Sequence, residues 1–182
     1  LERHQFDLPR FESRNVCGYQ SMKTFLIWFA LACQCAGADY LTVKVSNADP
    51  GVCFWACADS VLRSAGKESN LKQTVLLTGI GRDNGADMLS IYLLTKAQGN
   101  TLTFVTPNQL WKNPKHVIVT MAPWTSPTNA HAVVLVNCYS TYAGRNRYSH
   151  FVTYYDPNEP EVHLVMSWYK FRQLAQFGYI IE

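Results

Sequence analysis

The feature that most constrains this chain is a change of hydrophobic period near residue 100. Before it, Cys53 to Ser64 carries apolar residues at 54, 57, 58, 61 and 62, the spacing that lines one face of an α-helix. Helices are predicted again over Leu71–Leu77 and over Ala86–Ala97, the last stopping at Gly99. After it, β-branched and aromatic runs alternate with turns. Strands are predicted at Thr101–Val105, His116–Met121, His131–Cys138, Tyr148–Tyr155, Val162–Val165 and Phe177–Ile181. Pro107–Trp111 reads as a helical turn. Trp168–Leu174 reads as a short helix capped by Ser167, whose hydroxyl can accept a free first-turn N–H. Ahead of all these, Tyr40–Val45 is a predicted strand and Asp49-Pro50-Gly51 a turn. Helices first and antiparallel strands later is an α+β arrangement, with N-terminal helices packed on a C-terminal sheet. Gly79-Ile80-Gly81-Arg82-Asp83-Asn84-Gly85 is a plain turn, because its last Gly comes one residue late for a dinucleotide fingerprint and no strand leads in.

A length of 182 residues suits one domain rather than two. With 48% hydrophobic and 16% charged residues, the chain has too much apolar surface to remain a disordered linker. The net charge of +3 comes from 16 basic and 13 acidic residues spread along the chain. No basic run concentrates it, so a nucleic-acid partner is not expected.

Met22-Lys23, the apolar run Thr24 to Cys33 and the exit Ala36-Gly37-Ala38 are the three parts of a secretory signal peptide. The run falls short of the roughly 20 apolar residues that cross a bilayer. The expected organisation is therefore 1–21 as upstream sequence, 22–38 as signal peptide and 39–182 as the folded domain. The mature chain is expected to be secreted or periplasmic, with no stable membrane insertion after cleavage. A buried N-terminal helix is the competing reading of the same run. Cleavage after Ala38 leaves Cys53, Cys57 and Cys138, an odd number in a disulfide-permissive compartment, so at least one thiol is spare.

Cys53 opens a helix just after a Pro-Gly turn. The positive end of the helix dipole favours a thiolate there, the nucleophilic form of cysteine. A histidine beside it would lower its pKa further and serve as general base and acid. His131 is the best placed, because it begins Ala130-His131-Ala132-Val133-Val134-Leu135-Val136 and its small neighbours leave room for an approaching side chain. Asp156, in Tyr154-Tyr155-Asp156-Pro157, ends the next strand, and antiparallel neighbours can bring it to the start of the previous one. Each of these residues alone has an ordinary structural explanation: a small buried thiol, a half-buried strand histidine, an Asp-Pro turn. Two further arrangements use the same cysteines. Cys53, Cys57 and His131 could bind zinc, although no second ligand cluster is present. Cys57 and Cys138 could pair, although Cys138 lies seven residues past His131 and on a regular strand faces the other way.

The order of these motifs resembles a papain-like cysteine peptidase, most closely the small bacterial branch related to the double-glycine leader peptidases that process bacteriocins. In that branch the nucleophile opens the first helix as Cys-x-x-Ala-Cys, which Cys53-Phe54-Trp55-Ala56-Cys57 matches. Val61-Leu62-Arg63-Ser64-Ala65-Gly66 resembles the helix exit, and His116-Val117-Ile118-Val119 after Pro114 resembles the family's Pro-Val-Ile-Val strand. His131 to Val136 and Tyr154 to Pro157 match the strand with the His and the Tyr-x-Asp-Pro that follow, and Trp168 and Phe171 supply the aromatic of the next helix. The resemblance covers residues 45 to 182. It departs in two places. The family usually carries a Gln six residues before the Cys as oxyanion donor, and here that position is Asn47, an amide one methylene shorter. The stretch between His131 and Asp156 is also longer, with Tyr142-Ala143-Gly144-Arg145-Asn146 as an extended hairpin tip.

What the resemblance implies is a papain-like fold and a thiol hydrolase acting on a peptide or protein, without a cofactor or metal, and the signal-peptide pattern makes it an exported one. Cys53 is the expected nucleophile, His131 its proton carrier and Asp156 the orienting carboxylate, with Asn47 and the Cys53 N–H as oxyanion hole. A transglutaminase-type acyl transferase on the same residues, and a secreted binding module without turnover, are the alternatives.

Overall fold

The computed structural model describes residues 41–182 apart from 50, 81, 83–85, 113–115, 123–129 and 145–146. The predicted export signal, Met22 to Ala38, lies outside the described residues, and so does most of the Gly81–Gly85 turn. Three helices come first: α1 (Cys53–Ser64), α2 (Leu71–Thr78) and α3 (Met88–Ala97). Then follow β1 (Leu102–Val105), a 3₁₀ turn (Leu110–Lys112), β2 (Val117–Met121), β3 (His131–Tyr142), β4 (Tyr148–Tyr155), β5 (His163–Ser167), α4 (Trp168–Leu174) and β6 (Ala175–Ile181). The strands form one six-stranded sheet in the order β1-β6-β2-β3-β4-β5, every pairing antiparallel. This is the α+β architecture that the change of period predicts.

The sheet is covered on both faces. Phe54, Trp55, Cys57, Val61 and Leu62 of α1 pack with Leu71, Val75 and Ile91 of the next two helices onto Ile118, Ala132, Val134, Val136 and Tyr155. On the other face Val117, Val119, Val133, Leu135, Val152 and Tyr154 meet Leu110 and Phe171 of α4. Helix α1 is buried along nearly its whole length, including Asp59 at 1% exposure. That carboxylate is satisfied by the start of α2. Its oxygens accept from the Leu71 N–H at 2.9 Å, the Lys72 N–H at 3.0 Å and the Ser69 hydroxyl. Asn70, the residue before α2, makes no side-chain cap, so Asp59 does its work from another helix.

Three expectations need correction. The segment 41–45 is not a strand: its backbone runs along α1, where Ser64 Oγ bonds both polar groups of Val43 and Ser60 Oγ accepts from the Val45 N–H. Helix side chains satisfy this backbone, so it needs no neighbouring strand. Strand β2 begins at Val117, because His116 has φ of 50° and breaks the extended run. The extra length between His131 and Asp156 is strand rather than loop. β3 and β4 stay paired out to Tyr142↔Tyr148, and the Ala143 N–H to Arg147 O bond closes the turn.

Candidate active site

α1 begins without the usual devices that quiet a helix start. Val52 offers no side-chain cap and the first turn holds no acidic residue. The free N–H groups and the positive end of the dipole therefore face the Cys53 sulfur. Gly51 sets up this entry with φ of 76°, and its missing Cβ would stand 2.6 Å from the Arg82 carbonyl oxygen. Only glycine suits that position.

His131 lies at the first position of β3, paired with Met121 of β2. Its Nε2 is 2.7 Å from Asp156 Oδ1, which leaves Nδ1 as the ring nitrogen for the Cys53 thiol. The two side chains of the His–Asp pair are 30% and 16% exposed, so water screens the pair only in part. Burial pushes the Cys53 thiol up, but the hydrogen bond with His131, the Ala132 N–H, the imidazolium charge and the Phe54 N–H together bring it below the ordinary thiol value. His131 moves the other way. Burial lowers it, and its bonds and charge interactions with Asp156 and Cys53 raise it to about 9. Burial also raises Asp156, yet His131 and the Asn158 N–H hold its carboxyl below the usual range. Opposite shifts on neighbouring groups are what a thiolate–imidazolium pair produces.

The other two thiols differ in kind. Cys57 is fully buried, its Sγ donates to Ala132 O at 3.4 Å, and burial holds its pKa well above the ordinary value. Burial raises Cys138 to about 12. All three cysteines are free thiols. A bulge in β3 changes the facing that a regular strand would give Cys138. Leu135 faces Tyr154 and Asn137 faces Thr153, so Val136 is an extra residue and side-chain alternation slips by one. Cys138 thereby packs with Val133 and Leu135, on the face away from Cys57. Among the described residues no group of three His, Cys, Asp or Glu side chains is placed to hold a metal ion.

Asn47 stands closer to the Asp156 turn than the sequence suggests. Its N–H donates to Pro157 O at 2.7 Å and its Nδ2 to Asn158 Oδ1 at 2.7 Å, while its own amide oxygen is buried without a partner. Tyr155 Oη donates to Val45 O at 2.7 Å. The segment before α1 is thus fastened both to α1 and to the turn that carries Asp156. Sequence reasoning misses Asn158 altogether. Its N–H donates to Asp156 Oδ1 at 2.8 Å, and its Nδ2 lies 3.5 Å from His131 Nε2. An apolar cavity of about 310 Å³ opens beside His131 and Asp156, walled by Met121, Ala122, Val133, Tyr154 and Leu174.

No protein-family model matches this sequence, and no curated protein matches it significantly. Solved structures do. The peptidase domain of Streptococcus ComA, a bifunctional ABC transporter involved in quorum sensing, superposes with a TM-score of 0.55 at 17% identity, over 75% of this chain and 95% of that domain. A double-glycine motif protease from an AMS/PCAT transporter, solved in complex with the leader peptide, gives 0.56 at 17% identity, over 76% and 89%. The fold is papain-like, as in these peptidase domains. At this identity the likeness speaks for the architecture, and the chemistry lies in this chain's own side chains.

Proposed function

We propose that this chain is an exported cysteine peptidase in which Cys53 is the nucleophile, His131 carries the proton and Asp156 holds the imidazole. The observation that carries this reading is the line Asp156–His131–Cys53, with the histidine raised to about 9 and the thiol brought below its ordinary value. In the reaction the Cys53 thiolate forms a C–S bond to the peptide carbonyl, and the carbonyl electron pair moves onto oxygen. The N–H groups at the start of α1 and an Asn47 amide proton stabilise that oxyanion. Collapse breaks the C–N bond as His131 Nδ1–H protonates the leaving amine. The neutral imidazole then takes a proton from water, the hydroxyl displaces the thiolate from the acyl carbon, and the acid product departs. Export rests on the Met22–Ala38 pattern. It also sets this chain apart from a leader peptidase fused to a transporter, so a bacteriocin leader is not the substrate proposed.

One observation favours a binding module instead. The Asn47 amide is already engaged with Asn158, which weakens the oxyanion hole if no other donor replaces it. Labelling with an electrophilic peptide probe decides between the two. The wild type should form a covalent adduct at Cys53, and Cys53→Ala should form none. Equal absence of labelling in both proteins would leave the binding module as the reading. An amine acceptor added to the same assay separates hydrolysis from acyl transfer.

A further inference from the structure

The amides of Asn47 and Asn158 form a chain that ends on the histidine. Asn47 Nδ2 meets Asn158 Oδ1 at 2.7 Å, and the other end of the Asn158 amide lies 3.5 Å from His131 Nε2. That ring nitrogen bears the proton donated to Asp156 Oδ1, so an amide nitrogen facing it sets two donors against each other. The two ends of a carboxamide have nearly the same shape, so their partners decide which end points where. Turning both amides over removes the conflict. Asn158 Oδ1 then faces the ring N–H, Asn158 Nδ2 donates to the Asn47 oxygen, and the Asn47 N–H groups take the buried position in which that oxygen has no partner, where a developing oxyanion would be their acceptor.

We infer that Asn158 is a positioning residue for His131: its carboxamide, braced by Asn47, accepts a share of the Nε2–H and holds the imidazole against Asp156. The turn geometry favours this work, because the Asn158 N–H bonds the same Asp156 oxygen that receives the ring proton. One residue thus touches both members of the pair. The groups around the ring are few. Cys53 faces it from α1 and Asp156 from the turn after β4, Tyr154 of β4 lines the neighbouring cavity, and β2 and α4 contribute the uncharged Met121 and Leu174. Glu159 bears on Tyr154 beyond them.

The inference rests on the reading of Cys53 and His131 as a reactive pair, and its test needs no substrate. Ring-proton NMR titration of His131 in the full chain should give a lower pKa for Asn158→Ala than for wild type, because an imidazolium N–H is the stronger donor and loses an acceptor. Asn158→Asp puts a carboxylate in the same place and should raise it. In turnover assays Asn158→Ala should lower kcat about tenfold with little change in KM, as a misplaced general acid does. A purely structural role would leave the titration where it is. An unmoved pKa in Asn158→Ala, or an upward shift, overturns the proposal. If Asn158→Ala does not fold, an unmoved pKa in the near-isosteric Asn158→Asp overturns it equally. Should the wild type hydrolyse no peptide while the titration moves as stated, the peptidase reading falls and this one stands.

Discussion

Burial opposes ionisation of Cys53, and hydrogen bonding and charge together prevail because the groups that supply them are aimed at one sulfur. A thiol held away from water resists ionisation, as Cys57 and Cys138 both show. Cys53 differs in facing uncapped helix N–H groups and a cationic imidazole. Iodoacetamide near neutral pH should therefore alkylate Cys53 first and largely spare Cys57, as peptide mapping by mass spectrometry would report. Prior modification of Cys57 or Cys138 would assign the wrong nucleophile. The sign of the pH dependence follows from the same pair. Turnover needs thiolate and imidazolium together, so it should rise as Cys53 ionises below the ordinary thiol range and fall again as His131 loses its proton at about pH 9. Asn47 adds a second residue-scale test. Removing an oxyanion donor costs about 10²–10³ in rate, so Asn47→Ala should lose that much, mainly in kcat. If kcat falls while the His131 titration stays in place, the amide acts on the oxyanion. If both move together, it acts through Asn158. Asn47→Gln restores the longer amide and should recover activity in part.

At the scale of elements, the helix–helix contacts decide where the nucleophile sits. Asp59 ties α1 to the start of α2 through two backbone N–H groups and the Ser69 hydroxyl. Asp59→Ala leaves these donors unpaired beside a buried helix and should lower stability by about 2–4 kcal/mol in urea unfolding. Alkylation of the folded fraction at Cys53 should persist, since Asp59 lies beyond the first turn. The helices and the candidate triad were legible because each announces itself locally: helical spacing from Cys53, a cysteine after a turn, an Asp-Pro at a strand end. Two features were not. The run His131–Cys138 is apolar on both faces, so nothing in it marks Val136 as the bulged residue, and only pairing with β4 reveals the slip. The β-branched run ending at Val45 reads as a strand from composition, but Ser60 and Ser64 capture its backbone from α1. Asn158 was hidden for a similar reason. Its meaning comes from three partners, His131, Asp156 and Asn47, two of them distant in sequence.

At the scale of the whole molecule, two apolar clusters hold the described residues together. Among the described residues both clusters fall between Leu41 and Ile181, one cluster between the helices and the sheet and the other under α4. The site stands where the start of β3 meets the start of α1, and its polar groups come from residues 47 to 158 while Leu174 walls the cavity beside it. The signal-peptide pattern ends at Ala38, just before Leu41, the first residue of the described clusters. Two outcomes follow from that boundary. Protein recovered from its native compartment should begin at Asp39 on N-terminal sequencing, and an intact 1–38 segment there would contradict export by this route. A chain made to start at Asp39 should melt cooperatively and alkylate at Cys53 at the same rate as the full 182-residue chain, because the described partners of the site all lie between Val45 and Leu174. Slower alkylation of that shorter chain, with its melting transition retained, would assign the preceding residues a part in shaping the site.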